Sequence, residues 1–386
     1  MKDILKTSFK LNLKVLLCVG LYPSDSFKYV HKIFAYIVYI VATLPPFVLG
    51  SLNFFLKGNV DREDYNDFVT VALILLAPKL LLFLINSDNL KTYITFFDVK
   101  FVTAVNEKQR KIIESWVKIC QRNSTIFFGT TCIGLVGFFA KWYFQGYHSH
   151  LPLNVWIPFN SETQPLLYFF IYTALVIGGV YAAMACGTID SLVPGLLCHV
   201  SGQLQLLKDN LQNLDFYVEE IRQVQHQFSR NLIILRQIKQ SVLHYKDISY
   251  FVEEYEKCFS TMVFSQFIES IVVIGLCCLQ MTKIRELDAY SLIMVVYLGI
   301  LLFQVYFYCY YGTIVYEENN SVSTAIYMSN WYEYNTKAKK ILLVLMQRSQ
   351  RHMIVSAESI LDLSLDTFIT ILKRSYSLIA VFKNYY

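Results

Sequence analysis

Seven apolar runs divide this chain, each near the length that ~30 Å of hydrocarbon demands at ~1.5 Å of helix per residue. They span residues 33–55, 68–85, 126–144, 166–185, 259–279, 290–311 and 360–382. At 55% hydrophobic and only 16% charged, the chain has more apolar surface than a soluble fold of 386 residues normally buries, so membrane insertion is the economical outcome. The fold class expected is all-α, a seven-transmembrane-helix protein. A net charge of +5 spread along such a chain does not imply nucleic acid.

Three runs carry interruptions. Pro45 and Pro46 should kink or end the first, and Pro78 with Lys79 should leave the inner end of the second irregular or solvated. The last run carries Asp362, Asp366, Lys373 and Arg374, each costing ~2.5–3.5 kcal/mol at membrane depth unless it faces water or protein. Such a segment is a candidate for function. Before the first run, Lys2, Lys6, Lys10 and Lys14 share a helical face opposite Leu5, Phe9 and Leu16, as expected of a helix lying in the interface or packed on the bundle.

Orientation follows from the basic residues. Segments 1–32, 86–123, 188–250 and 316–352 carry six, seven, six and five Lys plus Arg, whereas 56–67, 147–163, 281–289 and the tail carry two, none, two and one. The N-terminus is therefore expected in the cytoplasm and the C-terminus outside. That is the reverse of a G-protein-coupled receptor, whose Asp-Arg-Tyr and Asn-Pro-x-x-Tyr signals are also missing. The sequons at Asn123 and Asn319 fall on the inner side and should stay unmodified. The nine cysteines lie outside the predicted outer loops and read as small apolar residues. His148 and His150 have no third ligand nearby, so no metal or other cofactor is expected. No phosphate loop, nucleophile elbow or His-Glu-x-x-His pair points to an enzyme. A metabotropic seven-helix chemoreceptor and a transporter remain as other readings, the latter weakened by the lack of an internal repeat.

Residues 200–258 keep apolar side chains at helical intervals, from Leu204, Leu207, Leu211 and Leu214 to Ile221, Val224, Phe228, Leu232, Leu235 and Ile238. They extend the fourth and fifth spans on the inner side.

The C-terminal third carries a joint set of motifs. Tyr308-Cys309-Tyr310-Tyr311-Gly312 is followed by Ser329-Asn330-Trp331-Tyr332-Glu333, Leu342-Leu343 and Gln347-Arg348-Ser349-Gln350, then Leu363-Ser364-Leu365-Asp366-Thr367-Phe368 and Ser375-Tyr376-Ser377. In this order and spacing they closely resemble the insect odorant receptor family.

That resemblance implies an odorant-sensing subunit of a heterotetrameric, ligand-gated, non-selective cation channel in the plasma membrane of an olfactory neuron dendrite. Its partners would be the co-receptor, a small volatile odorant, membrane lipid and permeant cations. The chain lacks the co-receptor's insertion between spans four and five and so resembles a tuning subunit. The implied organisation is an N-terminal region at 1–30, spans one to six at 31–315 with inner helices at 188–258, an anchor helix at 316–352 and a pore-lining span at 353–386. Trp331, Tyr332 and Leu342 would anchor subunits. Tyr376 and Ile379 match the co-receptor's gate, flanked by Ser375, Phe382 and Lys383. Phe368, Leu372, Ser375 and Ile379 share a helical face on which apolar rings would exclude water, although spacing alone nominates the polar face of Asp362, Asp366, Thr370, Lys373 and Ser377. The odorant would sit in the outer half of spans two to six. Candidates by depth are Leu75, Phe138, Phe139, Trp142, Tyr143, Tyr172, Val176, Tyr297 and Leu301.

Overall fold

The computed structural model describes residues 4–22, 28–56, 67–101, 106–144, 151, 153, 155–156, 164–224, 229–282 and 289–385, without the side chains at 28, 54–56, 67–68, 138–144, 224, 289–290, 293 and 378–385. Two short helices, α1 (Ile4–Ser8) and α2 (Lys10–Val19), precede α3 (Lys28–Leu56) and the pair α4 (Asp67–Ile85) and α5 (Ser87–Lys100). Then come α6 (Glu107–Phe144), α7 (Pro165–Gln212), α8 (Leu214–Val224), α9 (Arg230–Met281), α10 (Ala289–Tyr327) and α11 (Thr336–Ser349). A hairpin of β1 (Ser356–Ala357) and β2 (Leu361–Asp362) leads into α12 (Leu365–Tyr385).

Helices α3, α7, α9 and α10 are each long and apolar enough to cross a membrane, and α4 with α5 forms a fifth such element bent by 57°. Helices α6 and α12 match the third and seventh runs in position. The long helices α7 and α9, of 48 and 52 residues, extend well past the bilayer. Their extensions meet α1, α2, α5, α8 and α11 at one end of the bundle, called here the base.

Helix α7 is the axis of the fold. From Gly187 to Leu204 every residue is buried, and α6 and α10 pack along its length. A helix covered on all sides needs close neighbours, and Gly187 provides one: a Cβ there would lie 2.2 Å from Thr131 Oγ1 on α6. The expected inner stripe holds at Leu204, Leu207, Leu211 and Leu214, all buried. On α9 it turns by one position. Leu232 is exposed while Ile233 and Ile234 are buried, because α9 meets its neighbours through Ile234, Ile238, Tyr245 and Ile248. Val224 and Phe228 lie outside the described side chains.

Three expectations about local structure are corrected. Pro45 and Pro46 do not end α3. Pro46 removes the N–H that the Ala42 carbonyl would accept, and Gly178 of α7 packs against that carbonyl, where a Cβ would sit 2.3 Å away. Pro78 and Lys79 lie inside an unbroken α4, and Lys79 is fully buried in protein contacts rather than solvated. Residues 360–364 are not helical. The Leu363 N–H donates to the Val355 carbonyl at 2.8 Å, the Ser356 N–H and hydroxyl donate to Glu256 of α9 at 2.6 and 2.7 Å, and Ser364 Oγ accepts from the Thr367 N–H at 3.2 Å to begin α12. Asp362 thus belongs to the hairpin, not to a polar stripe on the last helix.

At the N-terminus, Leu5, Phe9 and Leu16 are buried in the core while Lys6, Lys10 and Lys14 stay exposed, so one face of α1 and α2 packs on the bundle. Both sequon asparagines are occupied. Asn123 Nδ2 donates to the Tyr311 hydroxyl at 2.6 Å, and Asn319 Nδ2 donates to the Ser349 and Arg351 carbonyls at 3.0 and 3.1 Å, leaving neither amide accessible for sugar.

Candidate ligand cavity

At the end of the bundle opposite the base, α4, α6, α7, α9 and α10 splay and leave a cavity of about 240 Å³. Its walls are built by small residues on α7, where Gly179, Ala182, Ala183 and Gly187 hold the helix surface back, and by Ala72, Leu73 and Leu76 on α4. Met294, Tyr297, Ile300 and Leu301 of α10 and Thr130, Thr131, Gly134 and Leu135 of α6 complete it. A face of α7 with little side-chain volume from Gly179 to Gly187 is the local reason a void persists where protein interiors otherwise close-pack.

The cavity floor is polar. Lys79 on α4 is fully buried and lies 2.6 Å from Asp190 Oδ1 on α7. Its other two donors reach Gln266 Oε1 on α9 and Cys186 Sγ, the latter at 3.6 Å, so all three ammonium hydrogens are engaged. Asp190 is equally satisfied. Its Oδ1 also accepts from the Tyr308 hydroxyl at 2.9 Å, while its Oδ2 accepts from the Cys186 thiol at 2.8 Å and from Gln304 Nε2. An ion pair tolerates burial only with such complete hydrogen bonding. Glu269, one helical turn beyond Gln266, also lines the cavity and is only 6% exposed.

The sequence-predicted residues distribute unevenly over this geometry. Tyr297 and Leu301 line the cavity. Leu75 packs behind it, against the small core of Ala72, Val273, Ile274, Cys277, Met294 and Leu301. Tyr172 and Val176 are half-buried on α7, above Gly179 and away from the wall. The side chains of Phe138, Phe139, Trp142 and Tyr143 lie outside the described ones, two to four turns along α6 from Thr131. Sequence reasoning missed Asp190, Glu269, Gln266 and Gln304. Glu269 lies within the fifth apolar run, and a carboxylate there was a signal in itself.

On α12, Ser375 is 2% exposed and turned into the chain, and its hydroxyl donates to the Ile371 carbonyl at 2.9 Å. Tyr376 is 74% exposed and shares the open side of the helix with Asp366, Ile369, Thr370, Lys373 and Ser377. Ile379, Phe382 and Lys383 lie outside the described side chains. At the base, Leu342 fills the chain's own core, Trp331 packs on its edge and Tyr332 stands exposed.

Helix α10 joins the two regions. Its Leu301 and Gln304 face the cavity, while Tyr306 meets Phe368 of α12 edge-on with ring centroids 5.8 Å apart. Nearly two turns further, Gly312 brings the backbone against the Leu363 carbonyl, which a Cβ would meet at 2.0 Å, and Thr313 Oγ1 accepts from the Leu365 N–H at 3.1 Å.

Known proteins share this arrangement. A family model described as 7tm Odorant receptor matches residues 66–376. The chain is 24% identical over 250 residues to odorant receptor Or1 of Anopheles gambiae, covering 61% of this chain and 60% of that protein. It is 29% identical over 143 residues to the odorant receptor coreceptor of Aedes aegypti, covering 37% and 30%. The match thus spans about three fifths of the curated receptors' length. In structure, the chain superimposes on the olfactory receptor OR5 from Machilis hrabei with a TM-score of 0.82 over 98% of both chains at 15% identity, and on the same receptor in complex with eugenol with a TM-score of 0.78 at 14% identity. On the extent of that family match, and with the seven-transmembrane fold of OR5 reproduced along nearly its whole length, the chain belongs to the 7tm odorant receptor family.

Proposed function

We propose that this chain is the odorant-sensing subunit of a heteromeric, ligand-gated cation channel, and that the cavity between α4, α6, α7, α9 and α10 takes a small volatile. The observation that carries this reading is the position of α10: one face lines a half-open, largely apolar cavity, and the next turns pack on α12 through Tyr306 and on the segment leading into it through Gly312. Filling the cavity stabilises whichever disposition of α10 accommodates the ligand, and α12 follows through that contact. The related receptor OR5 has been solved with eugenol, which supports a small aromatic volatile as the kind of ligand this fold accepts.

The coreceptor relatives support a co-receptor as the partner, in a tetramer held by the base, where Tyr332 and Trp331 are placed to meet a neighbour while Leu342 serves the chain's own core. The basic segments support a cytoplasmic N-terminus in the plasma membrane of an olfactory dendrite. The pore runs along α12, with Tyr376, Ile379, Phe382 and Lys383 toward its outer mouth. Residues left open on α12, among them Ile369 and Lys373, face the pore or a neighbouring subunit.

The test is odorant-evoked current in cells expressing this chain with a co-receptor while G-protein signalling is blocked. Current should persist under the block, and Leu301→Trp, which fills the cavity, should raise the half-maximal odorant concentration at least tenfold with unchanged surface expression. Loss of current under the block would establish a metabotropic receptor. An unchanged dose response in the Trp variant would move the ligand elsewhere.

A further inference from the structure

Two carboxylates line the cavity floor, Asp190 and Glu269, and only Asp190, paired with Lys79 beneath it, has its oxygens fully engaged. Lys79 spends its three donors on Asp190, Gln266 and Cys186, and Asp190 accepts four hydrogen bonds, filling its lone-pair sites. Glu269 Oε2 is different. It is buried with no hydrogen-bond partner among the described residues, on a residue that lines the cavity.

A buried carboxylate oxygen without a donor costs more than an ordinary hydrogen bond gains, so whatever supplies that donor binds with the difference. Gln304 Nε2 is engaged with Asp190 and Gln266 Nε2 with Ser270 Oγ at 3.1 Å, so neither amide serves this oxygen, and a donor arriving in the cavity can. The walls are mainly aliphatic and aromatic, which favours a neutral donor over an ammonium, whose desolvation costs several kcal/mol.

We infer that Glu269 is the head-group acceptor of the cavity and that the chain takes hydroxyl-bearing volatiles, alcohols or phenols, in preference to their ethers. The hydroxyl donates to Glu269 Oε2 while the hydrocarbon lies against Leu301, Met294 and Leu76. This rests on the reading of the cavity as the odorant site and adds its chemical selectivity.

The experiment uses two matched pairs that differ only in the donor: 1-hexanol against hexyl methyl ether, and eugenol against methyl eugenol. The full chain, purified with its co-receptor in lipid nanodiscs, is titrated with each, affinity being read from ligand-dependent thermal stabilisation over co-receptor alone. The hydroxyl member of the pairs should bind about tenfold more tightly than its ether, the scale of one buried hydrogen bond. Glu269→Leu should bring that ratio near one while leaving ether binding intact, which also shows that the cavity has kept its shape. Glu269→Gln, retaining an acceptor oxygen, should restore several-fold of it. Equal binding of alcohol and ether to the unaltered chain, or a ratio unmoved by Glu269→Leu, overturns the assignment and leaves the cavity reading standing. Binding of neither pair overturns both.

Discussion

The base and the cavity end are built from the same two long helices, α7 and α9, yet they are packed on opposite principles. At the base, Phe251 of α9 is enclosed by Tyr93, Phe97 and Phe101 with ring centroids 4.4, 5.2 and 5.6 Å away, and the Tyr93 hydroxyl donates to the Phe251 carbonyl. Large aromatic side chains there interlock around an α7 that is buried on all sides. At the cavity end the same α7 presents glycine and alanine, the core shrinks to a few side chains around Leu301 and Met294, and a void remains. Dense, interlocked packing resists displacement, while a void bordered by small residues leaves neighbouring helices room to adjust. The proposed function asks for both, since the base would hold partners and the cavity would respond to a ligand.

The boundary between the two regions is the Lys79–Asp190 pair, and cutting it should have the largest effect. Lys79→Met leaves Asp190 buried and unpaired, so a loss of about 3–5 kcal/mol is expected, seen as loss of surface expression and of a folded peak in detergent chromatography. Lys79→Met with Asp190→Asn should recover part of it. Normal expression of the single variant would show that the pair does not bind α4 to α7.

A large-to-small pair measures the packing contrast directly. Phe251→Ala at the base should destabilise by about 3–5 kcal/mol, whereas Leu301→Ala, beside space that already exists, should cost about 2 kcal/mol. Equal losses in a thermal-shift assay would remove the distinction between the two ends.

A smaller effect separates the ends by pH. His199 and His244, both buried at the base, have their pKa values lowered from 6.5 to about 3 and about 4 by the cost of charging a buried imidazole. The unfolded chain therefore takes up these protons first. The stabilisation is complete above pH 6.5 and is lost as pH falls from there toward 4 and then 3, by on the order of a few kcal/mol. His244→Leu should flatten the slope of stability against pH between 6.5 and 4. A slope that the substitution leaves alone would place the acid sensitivity elsewhere.

Much of the architecture was legible without coordinates. Span number and position follow from run length, because the thickness of hydrocarbon is fixed and a helix has one rise per residue. The motif series from Tyr308 to Tyr376 identified the family for a related reason: it lies within a single stretch of chain where order and spacing can be read. Two of the cavity residues, Tyr297 and Leu301, were reached by depth along a span. The prolines did not end their helices, because what lies beside a freed carbonyl is decided in three dimensions, here Gly178 against the Ala42 carbonyl.

What the sequence by itself determined is thus local and periodic: how many helices, how long, which family. Only tertiary structure decided which charges meet. Lys79 and Asp190 are separated by 111 residues, and Lys79 and Gln266 by 187, and no period links them. Each looks alone like a flaw in an apolar run. Packed together, Lys79 and Asp190 complete one another and leave Glu269 facing the cavity, because burial makes every polar group depend on the partner that the fold, and not the chain, brings to it.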